Sequence, residues 1–201
     1  MDTSTHILFD EYLFSFVSEN YNNPMHYYYF DTLFTDTEIS KILESFSNLC
    51  QNKGTTFDSS QKEFRKTNIT WIPRNDSTKW IYDRMVNALV SANKAMFNYD
   101  ITSLRDQIQL GCYEAKDNGK YSRHVDINDN DIHCCRKLSI SVLLSDPNSY
   151  EGGDLLIRNY TAPRKKGSAC VFSSFVEHEV TTVTKGKRYS LVLWIYGPPF
   201  R

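Results

Sequence analysis

His124-Val125-Asp126, followed at a distance by His178 and then by Arg188, constrains this chain more than any other feature of its sequence. In a strand, residues two apart point to the same face, so His124 and Asp126 offer an imidazole and a carboxylate to one point in space. His178 sits in Phe175-Val176-Glu177-His178-Glu179-Val180, at the edge of another strand-like run. Arg188 opens the next, Arg188 to Tyr196, whose alternation sets Arg188, Ser190, Val192 and Trp194 on one face. The fold has to be one in which short strands bring these faces together.

The rest of the chain supplies such strands. Beyond Tyr113, short apolar runs at Leu138 to Leu144, Asp154 to Ile157, Ala169 to Ser173, Val180 to Val183 and Arg188 to Tyr196 alternate with turn signals. Those signals are Asp146-Pro147-Asn148, Glu151-Gly152-Gly153 and Lys185-Gly186. This is the signature of a double-sheet jelly roll. Before it, Tyr27-Tyr28-Tyr29-Phe30 reads as a strand, and Thr35 with Glu38 forms a capping box ahead of Ile39, Ile42, Leu43 and Phe46 at helical spacing. Asn68 to Ile72, closed by Pro73, is a strand; a second helix from about Ser77 carries Ile81, Met85, Ala88, Leu89 and Ala92 on one face. Gln107 to Tyr113 is a further strand, and the polar stretch Gln51 to Lys62 is a loop. Residues 1 to 25 hold Ile7-Leu8-Phe9 and Tyr12 to Val17, short runs whose type stays ambiguous.

The reading is one α+β domain over 1-201: a double-stranded β-helix, or jelly roll, core at about 106-201, with helical and strand support at about 1-105 packed on the outside. At 201 residues, folding buries about 70% of the surface exposed by the unfolded chain, enough for one substantial core. A net charge of -1 gives no global attraction to nucleic acid or to an anionic membrane. No Lys or Arg precedes Lys41, and no apolar run approaches the ~20 residues of a membrane span, so a cytoplasmic location is expected. The five cysteines are odd in number and irregularly spaced, which favours a reducing compartment. Cys134 and Cys135 are adjacent, without the CxxC spacing of a zinc site.

Two histidines and one carboxylate on one side of a metal, with other positions open, suit non-haem Fe(II). The ordered set of His124-x-Asp126, distal His178, and Gly186-Lys187-Arg188-Tyr189-Ser190-Leu191 ending in Trp194 resembles the 2-oxoglutarate and Fe(II)-dependent dioxygenases, in their prolyl 4-hydroxylase-like branch. The resemblance extends from about Asn68 to Tyr196. It implies an oxidoreductase with His124, Asp126 and His178 as the metal ligands. Arg188 is then the catalytic-site cation that takes the far carboxylate of 2-oxoglutarate, a bidentate guanidinium suiting a carboxylate better than an ammonium does. Ser190 adds a hydroxyl there. Tyr113 matches the family's cosubstrate-reaching tyrosine, Tyr121 is a second candidate, and Trp194 is either a pocket wall or a packed core aromatic. Fe(II), 2-oxoglutarate and O2 are the implied cofactor and cosubstrates, with L-ascorbate as reductant.

Several neighbours compete for roles. A calcium loop over Asp126, Asn128 and Asn130 fails because Asp131 stands where Gly is needed and Lys137 where the bidentate Glu is needed. His133, expected to be exposed, is the rival of His124. Glu177 and Glu179 are expected to face solvent, as are Lys185 and Lys187 in their turn. Arg158, Arg164, Lys165 and Lys166 around Pro163, with Tyr160, read as a solvated basic loop. The stretches Gln51 to Arg65 and Asn128 to Arg136 are the expected lids. The function implied is hydroxylation of a C–H bond on a prolyl residue of a peptide or protein. The alternatives are a dioxygenase of a free amino acid or metabolite, and a binding protein with a vestigial metal site. No membrane or nucleic-acid partner is expected.

Overall fold

The computed structural model describes residues 27–50, 52–53, 64–128 and 133–200. The first 25 residues, nearly all of the expected 51–62 loop and Asp131 lie outside the described residues.

Thirteen strands and two α-helices are described. In chain order they are β1 (Tyr28–Phe30), α1 (Asp36–Phe46), β2 (Asn52–Lys53), β3 (Arg65–Lys66), β4 (Asn68–Ile72), α2 (Lys79–Ala92), β5 (Ile108–Glu114), β6 (Lys120–His124), β7 (Arg136–Leu143), β8 (Tyr150–Gly152), β9 (Leu155–Ile157), β10 (Tyr160–Thr161), β11 (Ala169–Ser173), β12 (His178–Val180) and β13 (Val183–Tyr196). They form two antiparallel sheets with a jelly-roll-like core. The larger has the order β1-β11-β7-β13-β5-β4-β2, with β8 on the first part of β13; the smaller has the order β10-β9-β12-β6-β3.

Both helices cover the outer face of the large sheet, and each begins for a local reason. The Thr35 hydroxyl accepts from the Glu38 amide at 3.3 Å while the Glu38 carboxylate accepts from the Thr35 amide at 2.9 Å, the reciprocal cap that starts α1. The chain turns around Asn75, whose side chain accepts from the Ser77 amide, and α2 therefore starts two residues later than Ser77. Tyr82 joins the buried face because its hydroxyl donates to the Ile72 carbonyl at 2.6 Å and accepts from the Ile108 amide at 3.0 Å, linking β4 to β5. Ile39, Ile42, Met85 and Leu89 then pack with Leu110, Ile140, Val142, Leu191 and Leu193. The opposite face of the large sheet, with the small sheet, encloses a second cluster containing Tyr113, Leu155, Ile157, Cys170, Phe172 and Val180.

The sequence reading is corrected around β13. Val180 to Val183 is not one strand: β12 stops at Val180, Thr181 and Thr182 intervene, and β13 runs 14 residues straight through Lys185-Gly186. Gly186 there is not a strand-ending turn but a distortion inside a strand. It holds φ +71, and a Cβ on it would lie 2.2 Å from the Ser149 carbonyl oxygen. Arg136, expected in a lid, is buried at the start of β7. No described helix is long and apolar enough to cross a membrane.

Candidate metal centre

β6 and β12 are neighbours in the small sheet, and their register sets His178 directly opposite His124. Asp126 lies two residues past the end of β6 rather than within a strand, and its amide donates to the Ser174 carbonyl at 2.8 Å. This bond turns the carboxylate in as strand parity would have done. One ligand-capable atom from each of His124, Asp126 and His178 lies within 4.8 Å of the others. His124 Nε2 is 3.7 Å from Asp126 Oδ1, and His178 Nε2 is 3.4 Å from Asp126 Oδ2.

Each imidazole is aimed by the backbone. His124 Nδ1 is 2.8 Å from the Ser122 carbonyl and His178 Nδ1 is 2.9 Å from the Val176 carbonyl. A carbonyl only accepts, so Nδ1 carries the proton and the Nε2 lone pair faces the cluster. Burial, then the neighbouring His178, push His124 down to about 4. Burial alone would raise the Asp126 carboxyl, but His178, His124, the Trp194 indole and the Ser139 hydroxyl hold it at about 2. At neutral pH His124 is thus neutral and Asp126 charged, the states in which both ligate a metal. Ser139 on β7 donates to Asp126 Oδ2 at 2.7 Å. The donor set, two imidazole nitrogens and a carboxylate with aligned lone pairs, fits a divalent iron.

Arg188 is 3% exposed. Its Nη1 donates to Ser190 Oγ at 3.0 Å, its guanidinium lies 5.4 Å from the Tyr113 ring centre, and its buried Nε has no partner. No carboxylate pairs with it among the described residues. A buried cation left this way is costly unless an anion joins it. Ser190 is here the partner of Arg188, and Tyr113 is buried between the sheets.

Tyr121 stacks face to face on His124, with ring centres 3.6 Å apart. The Arg65 guanidinium lies 4.5 Å from the Tyr121 ring centre, and Arg65 Nη2 donates to Gln109 Oε1 at 2.6 Å. Burial pushes the Tyr121 phenol up to about 12, so it remains protonated. Trp194 is covered by the Arg136 guanidinium at 4.0 Å. Arg136 in turn donates to Asp106 at 2.8 Å, to the Tyr196 hydroxyl at 3.0 Å and to the Asp126 carbonyl at 3.2 Å.

Other expected residues stand elsewhere. His133 is half-buried, not exposed, and lies 3.3 Å from the Asn128 amide, outside the cluster. Lys185 lies within β13, not in a turn, and pairs with Glu151 at 3.0 Å; Lys187 pairs with Glu114 at 3.3 Å. Glu177 is exposed, and Glu179 pairs with Arg123. The basic loop is not simply solvated: Arg164 pairs with Asp154, Lys165 with Asp31 and Lys166 with Asp36. None of the five cysteines forms a disulfide among the described residues. Sequence reasoning missed Ser139 and Asp106 as site neighbours and gave Arg65 and Arg136 only as ends of lids. None carries a motif, and only the hydroxyl Ser139 at an inward-facing strand position left a signal.

A sequence profile described as the 2OG-Fe(II) oxygenase superfamily matches residues 108–196. A PKHD-type hydroxylase of Teredinibacter turnerae is 34% identical over 95 residues, 43% of this chain and 41% of that one. One from Pseudomonas aeruginosa is 32% identical over 94 residues, 42% of this chain and 41% of that one. The chain thus matches about two fifths of the length of these curated relatives. Among solved structures, a Trichoplax adhaerens prolyl hydroxylase in complex with a peptide fragment of the hypoxia inducible factor oxygen degradation domain aligns with TM-score 0.68 at 20% identity, over 86% of this chain and 84% of that one. A Pseudomonas putida prolyl-4-hydroxylase aligns with TM-score 0.64 at 20% identity, over 85% and 93%. At these identities the two structures show a shared fold.

Proposed function

We infer, from the premise that this chain belongs through residues 108–196 to the 2OG-Fe(II) oxygenase superfamily, that it is a hydroxylase coupling oxidative decarboxylation of 2-oxoglutarate to hydroxylation of a C–H bond. The carrying observation is the pairing of two features between the same sheets: the His124, Asp126 and His178 cluster, and a buried Arg188 with no carboxylate partner among the described residues. His124, Asp126 and His178 would hold Fe(II), which when bound supplies the oxygen chemistry. The Ser122 and Val176 carbonyls keep both imidazoles in the ligating tautomer, and Ser139 orients the Asp126 carboxylate. Arg188 takes the far carboxylate of 2-oxoglutarate, with Ser190 setting its guanidinium plane. Tyr113, Tyr121, Phe172 and Trp194 line this space with rings and exclude water from it.

The substrate proposed is a prolyl residue of a peptide or protein. The hydroxylase names of the curated relatives and the prolyl hydroxylases among the solved neighbours support this choice, one of those structures holding a peptide fragment. The deciding assay is succinate formation from 2-oxoglutarate by purified protein with Fe(II) and ascorbate, across a panel of prolyl peptides. Turnover stimulated by a prolyl peptide and lost in Asp126→Ala is the expected result. Stimulation only by a free amino acid would replace the substrate class, and failure to bind either iron or 2-oxoglutarate would refute the enzyme.

A further inference from the structure

Cys134 and Cys135 occupy a short 3₁₀ turn, His133–Cys135, at the entry to β7. Their sulfurs lie 3.5 Å apart, and both residues are partly open to solvent. The remaining thiols differ in kind. Cys112 and Cys170 are buried, and burial pushes them up to about 11 and about 12. Cys50 is raised by burial too, and its thiol donates to the Leu110 carbonyl at 3.7 Å. The thiolate is the reactive form, so an oxidant that reaches the chain meets the 134–135 pair first.

The position of the pair gives its oxidation a route to the metal ligands. The Cys135 carbonyl accepts from the Gly197 amide at 3.0 Å, which ties the turn to the chain just past β13. Arg136 comes next. Its guanidinium lies 4.0 Å from the Trp194 ring centre and donates to the Asp126 carbonyl at 3.2 Å and to Asp106 at 2.8 Å. The backbone of one metal ligand is thus held by the residue that adjoins the pair. Adjacent residues keep their Cα atoms about 3.8 Å apart across a trans peptide, below the roughly 4.4–6.8 Å that a disulfide usually spans. Closing a bond between these two sulfurs must therefore turn the backbone at Cys134 and Cys135 and, one residue on, move Arg136.

We propose that Cys134 and Cys135 form a peroxide-responsive dithiol, closed by hydrogen peroxide to a vicinal disulfide that loosens the metal centre through Arg136. One sulfur attacks the O–O bond of the peroxide and becomes a sulfenic acid, with release of one water. The second sulfur displaces that hydroxyl, forming the S–S bond and releasing a second water. The two thiols are oxidised by two electrons and the peroxide is reduced by two; a dithiol reductant returns them. A disulfide strained in this way is easily reduced, as a reversible switch requires. Formation of the bond stands apart from the metal reading above, whereas its effect on the ligands rests on that reading.

The test treats the purified chain with a small molar excess of hydrogen peroxide, alkylates the thiols that remain and maps the tryptic peptides. The peptide from His124 to Arg136 carries both cysteines and no other. It is expected to be lighter by two hydrogen atoms, with no cross-linked dimer on a non-reducing gel, and to revert with dithiothreitol. The oxidised protein should bind Mn(II) about tenfold more weakly than the reduced one, the loss that follows when a group supporting a metal ligand is displaced. Cys134→Ser and Cys135→Ser, made separately, should bind Mn(II) as the reduced protein does, before and after peroxide. Oxygen atoms or alkyl groups gained at both cysteines, in place of hydrogen lost, would overturn the proposal. So would a closed disulfide with unchanged Mn(II) affinity, or an equal peroxide-dependent loss in the serine variants. A closed disulfide with no Mn(II) binding in either redox form would overturn the metal reading and, with it, the effect on the ligands.

Discussion

At the scale of single residues, Arg188 is the clearest case of a side chain whose surroundings are incomplete without a ligand. Among the described residues its neighbours are a hydroxyl, an aromatic ring and a cavity, not a carboxylate. A charge-assisted hydrogen bond contributes roughly 1.5–3 kcal/mol. Arg188→Met is therefore expected to weaken 2-oxoglutarate binding about ten- to a hundredfold while leaving Fe(II) affinity nearly unchanged, as measured by separate titrations. A parallel loss of metal binding would mean that Arg188 supports the fold instead. The sequence made His124, Asp126, His178 and Arg188 readable as candidates through their order and the family resemblance that this order carries; strand parity did not place Asp126, which lies past the end of β6. It left Asp106 silent and gave Arg65 and Arg136 only as ends of expected lids: Arg65 on the small sheet meets Gln109 on the large one and Arg136 meets Asp106, which stands outside any strand, and no local pattern encodes such a partner.

Among the elements, β13 does two jobs with one alternation. Leu191 and Leu193 face the helices, while Arg188, Ser190 and Trp194 face the space between the sheets. Its first part pairs with β8 and the rest with β5 and β7, and the change of partner falls at Gly186. The sequence reading took that glycine for a turn because glycine usually ends a strand. The positive φ that signals turns also permits a bend within a strand. Any side chain at Gly186 meets the Ser149 carbonyl, so Gly186→Ala should cost about 1–3 kcal/mol of stability in thermal unfolding. Because Arg188 follows two residues on, the same variant should weaken 2-oxoglutarate binding. The capping box of α1 and the apolar face of α2 were readable in advance, since both depend on contacts within a few residues.

For the whole molecule, the division is between a helix-covered face of the large sheet and the face that meets the small sheet. The metal cluster belongs to the second, and its ligands come from β6, the chain just after it, and β12. Occupying the cluster should tie β6, the segment that follows it and β12 together. At a hundred times the dissociation constant a ligand stabilises by about 2.7 kcal/mol, which for a chain of this size is a rise of roughly 5–10 °C in melting temperature. Mn(II), a redox-stable stand-in, with 2-oxoglutarate is expected to produce such a rise in the unaltered protein. It should produce none in Asp126→Ala, and an equal rise in that variant would place the binding elsewhere.

The imidazoles of His124 and His178 lean on the carbonyls of Ser122 and Val176, which every residue type at those positions would equally provide. Genetically, that makes the aim of both ligands nearly immune to point changes beside them. A random-mutation screen for lost iron should then recover hits at the three ligand positions and at sites that break strand pairing, and few at 122 or 176.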